Sequence, residues 1–144
     1  MTKSDKSKHN ICVASIKRST KKPYDFKWTK FYESNADFQK INSKLQLDYA
    51  ENELIICSTI IDLNNYSILT TQRLITRENG IENAASLTGA ICKFYGDFKG
   101  IKEGSFTLGL VQLQNGSDLK YFIETGKAAM IMICGVRTLI GTHQ

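Results

Sequence analysis

The 144-residue chain is 42% apolar and 23% charged, with a formal net charge of +5. That length supports one core without disulfide or metal staples. No apolar run nears the roughly 20 residues that cross a bilayer, and the amino terminus lacks the continuous apolar stretch of a secretory signal, so a cytoplasmic protein is expected.

The charge belongs to the start of the chain. Residues 1–30 hold nine Lys or Arg against Asp5 and Asp25, a net +7, while the remainder carries ten basic and twelve acidic side chains, a net −2. Met1 to Lys22 has little visible periodicity; it is expected to be irregular, with Ile11-Cys12-Val13 as a patch that pairs if it finds a sheet edge. A basic segment of this kind is either a solvated leader or a contact for an anionic membrane surface, where each Lys or Arg adds about 1 kcal/mol. Pro23 marks its boundary. The following Tyr24, Phe26, Trp28, Phe31 and Tyr32 alternate with Lys27 and Lys30. Such interleaving can stack on single-stranded bases, but anchoring onto a domain is its commoner use, and nucleic acid is not expected as a partner.

From Asn35 the period lengthens, and Phe38, Ile41 and Leu45 predict a short amphipathic helix over 35–47 capped by Asn35. Residues 53–61 form a β-branched strand, and Asp62-Leu63-Asn64-Asn65 suits a hairpin turn. Tyr66 to Arg77 alternates with a period of two on both sides of one break at Gln72-Arg73, which predicts two strands. In the first, Ser67, Leu69 and Thr71 oppose Tyr66, Ile68 and Thr70. In the second, Leu74 and Thr76 oppose Ile75 and Arg77. Glu78-Asn79-Gly80 closes that pair with a strong turn signal.

Beyond Gly80 the pattern weakens until Ile91 to Tyr95, a strand in which Ile91, Lys93 and Tyr95 oppose Cys92 and Phe94. Gly96, Gly100 and Gly104 punctuate a loop carrying Lys99 and Lys102. Ser105 to Leu113 is a strand with Phe106, Leu108 and Leu110 on one face; Gln114-Asn115-Gly116-Ser117 turns the chain into a return strand at Leu119 to Ile123. Helical spacing resumes from Lys127 to Ile140 behind a Thr125 cap, with Ala129, Met132, Ile133, Val136, Leu139 and Ile140 on one stripe. Met130 and Ile131 widen that stripe, so the helix is expected either to cap the core over a broad face, its commoner use, or to present Met130, Ile131 and Met132 to a partner.

Site chemistry is sparse. Cys12, Cys57, Cys92 and Cys134 form no CxxC pair, and His9 and His143 lie at the chain ends, so no metal site is expected. The cysteines should pack as small hydrophobes. There is no phosphate loop, no internal histidine base and no paired carboxylates, so neither enzymatic activity nor a cofactor is expected.

A four-part order emerges: a strand meander, a second set of strands, and one terminal helix behind a basic, aromatic segment. It resembles the small bacterial pleckstrin-homology-like (PH-like) domains. Tyr66-Ser67-Ile68-Leu69-Thr70-Thr71-Gln72-Arg73-Leu74-Ile75 looks like that family's tyrosine-x-leucine-threonine-x-x-arginine-leucine strand pair. Ser86-Leu87 with Ile91 resembles the segment that follows, and Gln114-Asn115-Gly116 with the final helix resembles its ending. The resemblance spans Glu51 to Ile140. It implies a mainly β (α+β) fold in which an open barrel of antiparallel strands is capped by the C-terminal helix. The expected organisation is a basic aromatic segment over 1–34, a short helix over 35–47 and a PH-like domain over 51–144.

Phosphoinositide-binding members of the wider superfamily cluster Lys and Arg around the first hairpin loop. Here that loop, Asp62-Leu63-Asn64-Asn65, has an acid and no base. Arg73 stands where the family has its arginine and is expected to bond carbonyls or an acid at a strand corner. Arg73, Arg77, Lys93 and Lys99 are the candidate ligand-binding cations, with Lys102 beside them. The expected function is a non-enzymatic module that binds a protein partner or itself, with peripheral association to anionic lipids as the alternative.

Overall fold

The computed structural model describes residues 3–99 and 105–142. Its first element corrects the expected irregular leader: Asp5–Ser19 is a helix, α1. Ser4 caps it by accepting the Ser7 N–H at 3.1 Å, Asp5 lies in the first turn, and Lys17 and Arg18 lie in the last, each charge matched to the helix dipole. His9, Cys12, Val13 and Ile16 recur at three- and four-residue spacing and are buried, so Ile11-Cys12-Val13 is part of a helical turn. The lysines that mask this stripe in the sequence occupy mainly the solvent face.

A short strand, β1 (Thr29–Phe31), and a short helix, α2 (Asn35–Ile41), follow. The α2 cap is Ser34, which accepts the Asp37 N–H at 3.2 Å, rather than Asn35. Asn35 is drawn instead to the sheet, where its side chain bonds the Glu53 carbonyl and the Ile55 N–H. The helix also ends earlier than its apolar spacing predicts, because Asn42 caps it through the Phe38 carbonyl. Leu45 is buried beyond its end.

The meander comprises β2 (Ile55–Asp62), β3 (Asn65–Thr70), β4 (Leu74–Glu78) and β5 (Ile81–Ala85), joined to β1 as a five-stranded antiparallel sheet in the order β1-β2-β3-β4-β5. The alternation over 66–77 holds. Tyr66, Ile68 and Ile75 pack under α2 with Phe38 and Tyr32, while Leu69 and Leu74 enter the larger core on the opposite face. A register irregularity between Ile55 and Cys57 sends both Ile56 and Cys57 into that core. The sequence missed β5, whose Ile-Glu-Asn-Ala-Ala composition has weak strand preference; pairing with β4 after the Asn79-Gly80 turn holds it.

The second sheet has three antiparallel strands in the order β6 (Ile91–Phe94), β7 (Phe106–Gln112) and β8 (Asp118–Glu124). Ser67 ties it to the first, since its hydroxyl accepts the Phe122 N–H at 2.8 Å and meets Thr76 at 2.9 Å. The two sheets do not close on each other. A 3-10 turn at Gly126–Ala128 leads into the terminal helix α3 (Ala129–Gly141), which lies over β2, β3 and β8. Helix α1 runs alongside it: the Cys12 thiol approaches the Gly135 carbonyl at 4.0 Å, and three residues later on both helices the Thr138 and Ser15 hydroxyls meet at 2.9 Å. The fold is therefore mainly-β α+β, with α1 and α3 together covering the inner faces of the sheets.

Candidate interaction surface

The inner face of the three-stranded sheet carries Cys92, Val111, Leu119, Tyr121 and Ile123 into the core. Gly109 belongs to this face: a β-carbon there would come within 2.6 Å of the Tyr121 ring, so the missing side chain is what lets that ring cross β7. Phe106, Leu108 and Leu110 share a face as the sequence predicts, but it is the outer one.

Register aligns the outer face in rows across the sheet. Phe94, Leu110 and Lys120 form one; Ile91, Gln112 and Asp118 another; Leu108 lies opposite Phe122 and Phe106 opposite Glu124. Ile91 and Phe94 both point outward because β6 is irregular between Cys92 and Phe94, which places Lys93 on a bulge. This corrects the simple alternation expected over 91–95. Ile91 is 58% exposed, Phe94 55% and Phe106 43%, with Leu108 and Leu110 half-buried between them. Trp28 extends the surface at one end. The Glu124 carboxylate accepts the N–H groups of Lys27 and Trp28 at 3.1 and 2.8 Å, and the Trp28 ring meets Phe106 edge-on at 6.1 Å. Phe106 in turn meets Phe122 at 5.5 Å. The Lys27 ammonium lies 4.7 Å from the Trp28 ring centroid. In and beside these rows Lys93 and Lys120 are exposed with the acid Asp118, and the segment of Trp28 adds the exposed Lys27 and Asp25.

The four candidate cations are not one patch. Arg73 and Arg77 sit at opposite ends of β4, and Lys93 and Lys99 lie on and after β6 in the other sheet. Lys102 lies outside the described residues. Arg73 is committed internally: Nε and Nη2 donate to the Glu53 carboxylate at 2.8 and 3.3 Å, and Nη2 also donates to the Asp48 carbonyl at 2.9 Å. Glu53 further accepts the Thr70 hydroxyl at 2.6 Å and the Ala50 N–H at 2.9 Å. Burial works to push the Glu53 carboxyl up, but the bonds from Arg73, Thr70 and Ala50 outweigh it and hold the group below its ordinary value. Asp5 of α1 closes the same corner by accepting from Thr71 and Gln72. Arg77 is half-buried, in register between Tyr66 and Glu82, whose side chains bond at 2.9 Å.

The expected partner-facing helix is corrected as well. Ile131 and Met132 are fully buried and Met130 is half-buried against the core, because α1 of the same chain covers the face that the apolar stripe offered. The aromatic segment anchors the fold: Tyr32 is buried, and Phe26 and Phe31 pack on the core. Cys12, Cys57 and Cys134 are buried and free, and Cys92 is half-buried. Burial pushes the Cys12 thiol up to about 12 and the Cys57 thiol well above its ordinary value, so neither is a thiolate near neutrality. Among the described residues no group of His, Cys, Asp or Glu is placed to hold a metal ion, and no helix is long and apolar enough to cross a membrane.

The open seam between the sheets forms a cleft of about 570 Å³ lined on one side by Thr76, Asn83 and Ala85 and on the other by Leu113, Ser117 and Lys120. Fold and surface together define an α+β domain of two antiparallel sheets with a terminal helix and an exposed apolar sheet face. No family model matches the chain, and no curated protein or solved structure matches it at a significant level.

Proposed function

We propose that the chain is a non-enzymatic PH-like interaction module that binds an acidic protein partner on the outer face of its three-stranded sheet. The PH-like reading is supported by element order: a four-strand meander from β2 to β5, a three-strand meander from β6 to β8, then a terminal helix. Helix α1, β1 and α2 precede that unit.

The single observation behind the binding role is the exposure of Ile91, Phe94 and Phe106 on one sheet face, with the half-buried Leu108 and Leu110 between them. A contiguous apolar patch rimmed by polar groups is what a contact surface needs and what a solvent face avoids. Lysines on the rim select the partner's sign, attracting acidic surfaces and disfavouring basic ones. The test immobilises the wild-type chain and an Ile91→Asp/Phe94→Asp variant with the same circular dichroism. An acidic protein retained at low salt by the wild type alone supports the reading. Equal retention by both, or none by either, counts against it.

Membrane association is the second reading, favoured by a different observation. Lys3 before α1, Lys6 and Arg18 on it, and Lys21 and Lys22 after it remain exposed, though the helix itself is part of the core. Deleting α1 would unfold the domain, so charge reversal at Lys3, Lys6 and Arg18 is the appropriate variant. Salt-sensitive sedimentation with phosphatidylserine vesicles, lost on reversal, is the expected result; sedimentation indifferent to either would exclude this reading.

A further inference from the structure

We infer that β5 pairs with β5 of a second copy of this chain, giving a two-fold symmetric dimer. This goes beyond the sheet-face reading and uses a different edge of the molecule.

The Asn79-Gly80 turn has φ of 51° and 82° at its two residues, the form that closes two-residue hairpins. Glu78 and Ile81 are then the bonded closing pair, and bonding continues at alternate residues. The same phase follows independently from the other side of β4. The Thr70 N–H donates to the Arg73 carbonyl at 2.9 Å, so Ile75 and Arg77 direct their backbone groups to β3, leaving Leu74, Thr76 and Glu78 for β5. Ile81, Asn83 and Ala85 therefore bond β4, while Glu82 and Ala84 direct their N–H and C=O groups outward. Among the described residues no backbone hydrogen bond outside the sheet involves either of them.

The other edges are blunted. β6 carries the Lys93 bulge, β1 has three residues with Lys30 at its centre, and β8 gives its Phe122 N–H to Ser67. β5 has no Lys, no Pro and no bulge, and its Ile81 is 69% exposed. An unprotected edge of this kind is a template for another strand.

The second copy is the occupant that the sequence of the edge selects. Antiparallel pairing centred on Asn83 sets Glu82 opposite Ala84 and Ile81 opposite Ala85, each in both directions. The outward groups of Glu82 and Ala84 then exchange four backbone hydrogen bonds across the axis, a self-complementary contact. No charge faces a charge, because the single acid of each strand meets an alanine and its carboxylate is already held by the Tyr66 hydroxyl at 2.9 Å.

Sedimentation velocity across micromolar to submillimolar concentration tests this with Ala84→Pro and Asn83→Lys. Proline at 84 removes only an outward N–H and spares the bonds to β4, so the fold measured by circular dichroism should persist. Losing that N–H from both copies raises the dimer Kd roughly ten- to a hundred-fold. Lysine at 83 sets two like charges together on the axis and should weaken the dimer similarly. A wild type that stays monomeric throughout, or a dimer indifferent to both variants, overturns the inference. So does a dimer that Phe94→Asp disrupts while Ala84→Pro does not, since self-association would then use the sheet face.

Discussion

Two side chains show opposite ways of burying polarity. Glu53 is buried with its carboxylate fully bonded, and Arg73 supplies two of those bonds. Removing Arg73 leaves a buried charge with too few donors, which costs more than the pair itself is worth. Arg73→Ala should lower stability by roughly 2–4 kcal/mol in urea unfolding near neutral pH, the range allowing for the partial exposure of Arg73. The folded-state Glu53 value is lowered, so its contribution is fully present above the ordinary carboxylate range and is lost as pH falls through the lowered value. The difference between wild type and Arg73→Ala should accordingly shrink in acid; a constant difference down to pH 2 would show that the ion pair is not its source. Tyr121 is the contrary case. Its hydroxyl is buried without a hydrogen-bond partner, and burial pushes its ionisation well above the ordinary value. Tyr121→Phe keeps the ring over Gly109 and deletes the unsatisfied group, so stability should be unchanged or rise by about 1 kcal/mol. A loss of more than that would mean that the hydroxyl has a partner in solution.

The helices depend on one position where space matters more than propensity. A β-carbon on Gly135 would come within 2.9 Å of the Cys57 sulfur and 3.0 Å of Leu69. Gly135→Ala gains up to about 1 kcal/mol of helix propensity and incurs roughly 1–3 kcal/mol of overpacking. The net expectation is a loss of about 1 kcal/mol, recovered at least in part in the Gly135→Ala/Cys57→Ala double variant because the sulfur is what crowds the new methyl. Additive losses in that cycle would place the strain elsewhere. The same helix shows what the sequence could reveal. Its apolar stripe is readable from Ala129 to Ile140, but what covers the stripe is not, because the answer lies over a hundred residues earlier in a segment whose lysines hide the spacing of His9, Cys12, Val13 and Ile16. The strands of 66–77 were legible down to side-chain face, since both faces are buried and each residue is matched to one. The outer face of β7 was legible as a set and not as an exposure: Gly109 holds the core position that periodicity assigns to a side chain, and only the ring of Tyr121 explains why.

At the scale of the whole molecule, the two sides of the three-stranded sheet have different physical jobs. Val111, Leu119, Tyr121 and Ile123 are removed from water on the inner side, and each contributes to folding in proportion to the area it buries. Ile91 and Phe94 on the outer side are more than half exposed, so the folded state gains little from their being apolar. Substituting them therefore separates folding from binding. Ile91→Lys and Phe94→Lys should change unfolding free energy by no more than about 0.5 kcal/mol, as surface substitutions do, and should raise solubility by breaking the patch. Val111→Lys, one strand away on the other face, should abolish cooperative unfolding because it drives an unpaired charge into the core. If Phe94→Lys instead proved as damaging as Val111→Lys, the outer face would be part of the folding core and the case for it as a contact surface would fail. With stability held constant, any binding lost in the Ile91 and Phe94 variants reports the surface alone, and that is what makes this face testable before its partner is identified.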